Sequence, residues 1–293
     1  MKRLYGIVTP MVTPFNRDGQ VDWKALADLT DYLLAGGVHA LYPLGTTGEA
    51  AFMTVRERQE VAEAVVERVQ GRVPVFVQVG AIPTADAVAL ARHAVQIGAD
   101  GIAAVTPYYF RYSDEELVAY FEAIARSVPE DVPIYLYNIP SHTGNDLKPA
   151  TVARLAQAFP NVIGIKNSMG DLDRLRAYRR TREDFSVLVG GDSLLAAAYL
   201  EGCDGAVSGP SQLAPTVYVS LFAALEAGDF GTAAVLQRRV STICEVAGFG
   251  HVPTIKGLMR AMGLPGGWVR APFQEVASDH VDAASRKLKG LLA

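Results

Sequence analysis

The sequence predicts an α/β fold, specifically a (β/α)8 TIM barrel with a C-terminal helical extension. Short runs of apolar or β-branched residues recur through the first two-thirds of the chain, and each ends in a loop that contains Gly, Pro, Thr or Ser. A helical pattern follows each run. Beyond residue 208 the strand patterns stop, and helical patterns occupy the remainder of the chain.

Eight runs predict eight strands, at residues 6–9, 40–44, 73–79, 101–106, 134–137, 162–166, 186–189 and 205–208. Capping boxes mark the starts of two intervening helices, one from Thr54 to Glu57 and one from Ser113 to Glu116. Continuous apolar strands that alternate with helices indicate a parallel sheet covered by helices, and eight such units favour closure into a barrel. An open, doubly wound sheet is the alternative.

The predicted extension contains helices at residues 214–227, 229–246, 252–263 and 272–290. We therefore divide the chain into a barrel at residues 1–213 and an extension at residues 214–293. Because no low-complexity linker separates the two parts, we expect the extension to pack directly against the barrel.

The chain has 293 residues, of which 50% are hydrophobic and 20% are charged, so it can bury a large core. Its net charge of -4, without a run of more than two basic residues, argues against nucleic acid and membranes as partners and favours small molecules. No secretory pattern or apolar stretch of roughly 18 residues is present, which predicts a cytoplasmic protein. Cys203 and Cys244 lack a CxxC pattern and are expected to be reduced thiols.

Lys166 is the first candidate catalytic residue. It ends the apolar run 162–165 of the sixth predicted strand, where a charge without a partner has no structural use. Burial disfavours the charged form of an amine, and a neutral amine can attack a ketone to form a Schiff base. The alternative is a strand-end lysine whose head reaches solvent. Among the seven lysines only Lys166 has this setting, and Lys256, in an apolar helix, is expected to reach solvent by snorkelling.

Active sites of TIM barrels lie at the C-terminal ends of the strands, where Tyr137 ends the fifth predicted strand. Neighbouring strands are about 4.8 Å apart, so Tyr137 and Lys166 are expected to reach one point in the barrel mouth. A phenol beside an amine can move the protons that Schiff-base chemistry requires. An aromatic side chain that merely fills the top of the barrel is the alternative.

The second strand leads into Gly45-Thr46-Thr47-Gly48-Glu49, which we interpret as a carboxylate cradle. Its glycines free the backbone to present N–H groups beside two hydroxyls, and Thr46 could relay protons. The alternative is an ordinary turn whose hydroxyls cap the next helix. Neither a Walker motif nor a GxGxxG fingerprint is present.

The five histidines are scattered and form no HExxH motif, so the sequence predicts no metal site. His142 lies in a mouth loop and could contact substrate, whereas the other four histidines are expected to satisfy helix or surface positions. The aromatic residues around Tyr109 could wall the pocket or, as the commoner use of such residues, meet another subunit.

Four segments of the chain stand in a distinctive order and spacing: Gly45-Thr46-Thr47-Gly48-Glu49, Tyr137-Asn138-Ile139-Pro140, Gly164-Ile165-Lys166, and Val252-Pro253 through Lys256 to Arg270-Ala271-Pro272-Phe273. Together they resemble the dihydrodipicolinate synthase and N-acetylneuraminate lyase superfamily, the class I pyruvate-dependent aldolases, over essentially the whole chain. The resemblance implies that Lys166 forms a Schiff base with pyruvate or another 2-oxo acid and that Tyr137 donates and accepts protons. It also implies that the Thr46-Thr47-Gly48 turn holds the substrate carboxylate.

The resemblance further implies that Tyr109 reaches across a dimer interface towards the site of the neighbouring subunit. It also implies that the chain forms a homotetramer built as a dimer of dimers. Gly191 and Val207 match backbone positions that line the site in this superfamily. No metal or organic cofactor is implied, because the protonated imine itself accepts the electron pair that the breaking bond releases.

Two departures from the synthase pattern concern the substrate. His142 stands where synthases place an arginine that grips the second substrate, and a histidine cannot form that bidentate fork. The segment after Lys166 resembles that of sialic acid lyases and 2-keto-3-deoxy-acid aldolases, so Ser168 would offer a hydroxyl to a polyol chain. Thr46 and Ser193 depart from the sialic acid lyase pattern, which weakens that assignment.

The sequence therefore predicts a carbon–carbon lyase that reversibly cleaves a 2-oxo-3-deoxy sugar acid or related 4-hydroxy-2-oxo acid to pyruvate and an aldehyde. The first alternative is a 4-hydroxy-tetrahydrodipicolinate (dihydrodipicolinate) synthase, which condenses pyruvate with aspartate semialdehyde. Further alternatives are an N-acetylneuraminate lyase, a 2-keto-3-deoxy-acid dehydratase, and a non-catalytic 2-oxo-acid sensor. The intact proton relay argues against the sensor.

Overall fold

The computed structural model describes residues 1–292, and in them eight parallel strands form one sheet. The strands are β1 (Gly6–Thr9), β2 (Ala40–Leu41), β3 (Phe76–Gln78), β4 (Gly101–Val105), β5 (Ile134–Asn138), β6 (Val162–Asn167), β7 (Ser186–Val189) and β8 (Gly205–Val207). The sheet order β2-β1-β8-β7-β6-β5-β4-β3 leaves β2 and β3 at its two ends. A parallel bridge between Leu41 and Val75 joins those ends. The predicted barrel is confirmed, and the open sheet is excluded.

Helices surround the barrel. They are α1 (Trp23–Ala35), α2 (Val55–Val69), α3 (Thr84–Gln96), α4 (Asp114–Ala125), α5 (Pro140–Thr143), α6 (Pro149–Ala158), α7 (Leu172–Arg179), α8 (Leu195–Leu200), α9 (Pro215–Glu226), α10 (Phe230–Val246), α11 (Val252–Ala261) and α12 (Ser278–Leu292). Both predicted capping boxes are present: the Thr54 N–H donates to Glu57 at 2.9 Å, and the Ser113 N–H donates to Glu116 at 2.7 Å.

Both faces of the sheet are buried, which explains why the strands are continuous apolar runs in the sequence. Side chains that point into the barrel form one packed cluster, which includes Tyr42, Phe76, Tyr135 and Leu188. Side chains on the other face pack against the helices in a second, larger cluster. The barrel is therefore a filled core, and a site can open only at its rim.

Several predicted boundaries are wrong, and prolines account for some of the differences. Strand β2 ends at Leu41, not at residue 44, because Pro43 has no N–H to donate and Leu44 has a left-handed φ of +66°. Strand β3 is shorter than 73–79, and the Pro74 carbonyl instead accepts the Leu41 N–H at 3.0 Å. The last helix begins at Ser278, six residues later than predicted. The short helix α5 was not predicted at all.

The C-terminal helices contact the rest of the chain. Helix α9 lies beside β1, α10 packs against α9, and α12 packs against both α10 and α11. The division at residue 213 stays a prediction. Within residues 1–292, no helix combines the length and the apolar character needed to cross a lipid bilayer.

We predict that replacing Gly205 by alanine weakens the barrel. Gly205 begins β8 with a φ of +154°, and a Cβ there would lie 2.1 Å from the Gly6 carbonyl oxygen on β1. The G205A free energy of unfolding in urea should fall by about 3 kcal/mol, a size typical of overpacking and backbone strain. G290A is the matched control, because a Cβ on Gly290 in α12 would meet nothing within 4 Å. Equal stability of the two variants would contradict the prediction.

Candidate active site

Strand pairing places the two principal catalytic candidates side by side. Tyr137 of β5 is the direct partner of Lys166 of β6. The Lys166 Nζ lies 3.9 Å from the centroid of the Tyr137 ring and 5.5 Å from that of Tyr42 below it. Lys166 is only 6% exposed, so its predicted burial is confirmed. An amine held between aromatic rings at the rim of a barrel is placed to attack a bound carbonyl.

The turn after β2 lies next to this pair. The Thr46 Oγ1 is 3.2 Å from the Tyr137 phenol oxygen, so the predicted hydroxyl relay has hydrogen-bond geometry. The backbone N–H groups of Thr46 and Thr47 donate to no other group in the part of the chain that the structure describes. The N–H of Gly48 instead donates to the Gly45 carbonyl at 3.1 Å. Two free donors thus remain for an anionic ligand.

A cavity of about 460 Å³ opens above Lys166 at the C-terminal ends of the strands. Eight of the predicted site residues line it, namely Thr46, Thr47, Tyr137, His142, Lys166, Ser168, Gly191 and Val207. Gly48 and Tyr109 are not part of this lining. Gly48 is buried in the turn. Tyr109 is 84% exposed and has a left-handed φ of +80°. Within one chain, its side chain therefore does not line the cavity.

Asp192 is a lining residue that sequence reasoning did not select. Its Oδ2 accepts hydrogen bonds of 2.7 Å from the hydroxyls of Ser208 and Tyr218. Burial raises the pKa of Asp192, while those hydrogen bonds and the Lys166 charge act in the opposite direction. The signal in the sequence was its place directly after the seventh strand, where barrel chemistry is expected.

His142 lies in α5 at the edge of the cavity, where its Nδ1 is 3.0 Å from the Ser141 Oγ. Burial is the larger cause that lowers the pKa of His142, and the charge of Lys166 lowers it further. A lower pKa favours the neutral ring, in which one nitrogen can donate while the other accepts. Such a group suits a hydroxyl better than a carboxylate.

The C-terminal extension also contributes residues to the wall of the cavity. The loop between α10 and α11 brings Phe249 and His251 to it, and Cys244 of α10 lies beside them. His251 is exposed at the start of α11, where its Nδ1 lies 2.9 Å from the Thr254 Oγ1, so it occupies the expected helix and surface position and in addition lines the cavity. The left-handed φ angles of Gly248, Phe249 and Gly250, +64°, +54° and +90°, give this loop its tight path. The Gly-Phe-Gly sequence was the available signal.

Lys256 corrects one expectation. Its side chain is not at the surface but fully buried, where it forms an ion pair with the equally buried Glu49. Burial lowers the pKa of Lys256 to about 8, and the Glu49 charge opposes that change.

No group of three or more potential metal ligands occurs among residues 1–292.

A family model described as the dihydrodipicolinate synthetase family matches residues 3–291. The chain belongs to this family. Relatives in this family are named as aldolases, and the chain is accordingly a lyase. The family resemblance inferred from the sequence motifs is confirmed.

Two curated relatives of this chain carry the names of different activities. An Escherichia coli K12 protein named as a probable 2-dehydro-3-deoxy-D-pentonate aldolase, YjhH, is 40% identical over 90% of this chain and 89% of its own length. A 4-hydroxy-tetrahydrodipicolinate synthase of Stutzerimonas stutzeri is 36% identical over 98% of this chain and 99% of its own length. The family thus includes both aldolases and synthases among the relatives of this chain.

A solved structure of the same family agrees with the architecture. The prophage protein YagE of Escherichia coli K12, solved in complex with pyruvate, superposes with a TM-score of 0.94 at 35% identity. The match covers 99% of both chains. The likeness therefore extends through the helical extension as well as the barrel.

We predict that the pKa of His142 responds to Lys166. Replacing Lys166 by methionine removes the nearby charge but leaves the burial, so the pKa of His142 should rise partway towards its ordinary value. NMR titration of ring-labelled histidine measures this change. His39 is the control, because burial near the opposite end of β1 lowers its pKa without a contribution from Lys166. An unchanged His142 titration would show that the two groups do not interact.

Proposed function

We propose that this protein is a Schiff-base aldolase that reversibly cleaves a 2-oxo-3-deoxy sugar acid or related 4-hydroxy-2-oxo acid into pyruvate and an aldehyde. The observation that carries the proposal is the buried Lys166 amine, 3.9 Å from the Tyr137 ring, with Thr46 3.2 Å from the Tyr137 hydroxyl. The pyruvate complex of the related YagE supports a 2-oxo acid as the bound fragment. The name of YjhH supports a 2-oxo-3-deoxy sugar acid as the substrate.

The chemistry assigns a separate task to each group. The Lys166 amine attacks the substrate ketone at C2, and Tyr137 gives its phenol proton to the resulting hydroxyl, which leaves as water and forms a protonated imine beside a phenolate. Tyr137 takes the proton of the C4 hydroxyl as the C3–C4 bond breaks, and the imine accepts the electron pair to give an enamine. The aldehyde leaves, C3 is protonated, and water hydrolyses the imine to release pyruvate and restore Lys166. The hydroxyl of Thr46 passes protons between Tyr137 and the cavity.

The carboxylate of the 2-oxo acid would bind to the free N–H groups of Thr46 and Thr47. The remaining substrate carbons would extend towards His142 and Ser168, which also line the cavity. Neutral histidine and serine both pair well with hydroxyl groups. No arginine lines the cavity in the described residues, which favours a polyol chain over a second carboxylate.

Condensation of pyruvate with aspartate semialdehyde is the second candidate function. It uses the same imine and enamine, and the 36% identity to a synthase over 98% of the chain favours it. A 2-keto-3-deoxy-acid dehydratase and a 2-oxo-acid sensor use the same lysine but release no pyruvate. An N-acetylneuraminate lyase would release pyruvate from a longer sugar acid.

A homotetramer, built as a dimer of dimers, is part of the proposal. Tyr109 and Phe110 are 84% and 60% exposed, and their rings pack edge to face with centroids 4.9 Å apart. Exposed, paired aromatic side chains are typical of an interface. A second copy would cover them and receive Tyr109 near its own site. The cytoplasmic location stays a prediction.

The first test is pyruvate release, coupled to lactate dehydrogenase, across 2-keto-3-deoxy sugar acids, N-acetylneuraminate and 4-hydroxy-2-oxoglutarate. Release from a 2-keto-3-deoxy sugar acid is expected. Borohydride should trap pyruvate on the wild type and not on K166A, because only an imine is reduced to a stable bond. K148A, which changes an exposed lysine paired with Asp114, is the matched control and should trap normally. Trapping by K166A would refute the assignment, and trapping without release from any sugar acid would favour the synthase.

We predict that Y137F slows turnover by about 10² to 10⁴-fold, the usual effect of removing an acid–base group. The fold should be intact, because the ring that packs on Lys166 and Tyr42 remains. Steady-state kinetics and circular dichroism measure the two effects. Y5F is the control, since the Tyr5 hydroxyl bonds only Glu226 at the other end of the barrel. An unchanged rate would remove Tyr137 from the mechanism.

A further inference from the structure

The buried ion pair between Lys256 and Glu49 has no place in the reaction described above. Both side chains are fully shielded from solvent. The Lys256 Nζ also donates hydrogen bonds of 2.7 Å to the Thr13 and Trp268 carbonyl oxygens, and it lies 4.5 Å from the centroid of the Phe15 ring. A buried ion pair often stabilises a fold no better than apolar residues of the same size would, so stability alone does not explain it.

The pair is anchored to the turn that carries Thr46 and Thr47. Glu49 is the last residue of that turn, and its N–H donates to the Thr46 carbonyl at 3.1 Å. Its second carboxylate oxygen accepts the Arg270 N–H at 3.0 Å. Displacement of Glu49 therefore moves Thr46 directly.

Lys256 holds the same turn by a second route. The Thr13 carbonyl accepts from Lys256, and the Thr13 hydroxyl donates to the Gly48 carbonyl at 2.7 Å. Lys256 thus holds the turn both through the Glu49 carboxylate and through Thr13. These two contacts link helix α11 of the extension to the turn at the barrel rim.

The turn needs such support because its backbone is strained. Leu44 directly precedes it and Glu49 ends it, and both residues have left-handed φ angles, +66° and +56°. Residues with a Cβ adopt this conformation at a cost in free energy and keep it only where the surroundings enforce it. Without the ion pair, Glu49 would be free to relax, and the Thr46 and Thr47 N–H groups would shift with it.

We propose that Lys256 and Glu49 are positioning residues for recognition of the 2-oxo acid carboxylate. They hold the strained turn so that the Thr46 and Thr47 N–H groups face the bound carboxylate. The inference rests on the proposed function, since it assumes that a 2-oxo acid binds at this turn. It assigns to the helical extension a role in substrate affinity that is separate from the covalent chemistry of Lys166.

The test measures borohydride trapping of labelled pyruvate against pyruvate concentration, so no aldehyde is needed. In K256M the half-saturating pyruvate concentration should rise about tenfold or more, equivalent to weakening of one charge-assisted contact. The maximal trapping rate should fall by a smaller factor than the half-saturating concentration rises, because Lys166 is untouched and only the Thr46 contact to Tyr137 shifts with the turn. The double variant E49Q/K256M leaves no unpaired buried charge, so its melting temperature should exceed that of K256M while its half-saturating concentration stays raised.

R260M is the matched control. Arg260 lies one turn after Lys256 on α11, bonds the Gly267 carbonyl and pairs with Glu275, but it does not contact the turn. Its half-saturating concentration should equal that of the wild type. Where K256M fails to fold, the double variant and E49Q decide the question. Wild-type half-saturation in the double variant, or a loss confined to the maximal rate, would overturn the inference. Absence of trapping in the wild type would instead refute the proposed function.

Discussion

Parallel pairing of β5 with β6 is the constraint on which the site depends. It sets Tyr137 directly beside Lys166 at the ends of both strands. Closure of the barrel then brings the turn after β2 across the mouth, so that Thr46 meets Tyr137 from the opposite side. A shift of one residue in either strand would turn one of these side chains away from the barrel interior. The register of the sheet therefore positions Tyr137 beside Lys166.

Two buried lysines in one chain have opposite surroundings, and that difference separates their roles. Lys166 lies over aromatic rings and opens into a cavity. Lys256 has a carboxylate and two carbonyl oxygens within reach and no opening to solvent. An amine whose donors are all engaged cannot attack a substrate, whereas an amine that faces an open cavity can. Burial alone would not have distinguished the two residues.

The helical extension is part of the site as well as a cover for the barrel. It contributes Phe249, His251 and Cys244 to the cavity wall. Through the contacts of Lys256 with Glu49 and Thr13, it also supports the turn that would hold the substrate carboxylate. Because Lys166 and Tyr137 come from the barrel and these contacts come from the extension, the proposed function lets substrate affinity vary with the extension while the proposed imine chemistry stays with the barrel.

The sequence by itself determined the barrel, the capping boxes and the proximity of Lys166, Tyr137 and Thr46. These features follow from local patterns, because strand periodicity and turn residues are short-range signals and parallel strands end at one rim. Only the tertiary structure decided that Lys256 is buried, that His251 lines the cavity and that Gly48 does not. Burial of a helical or loop residue depends on what packs against it, and the partner of Lys256 is Glu49, which is distant in the chain. No local pattern encodes such a contact.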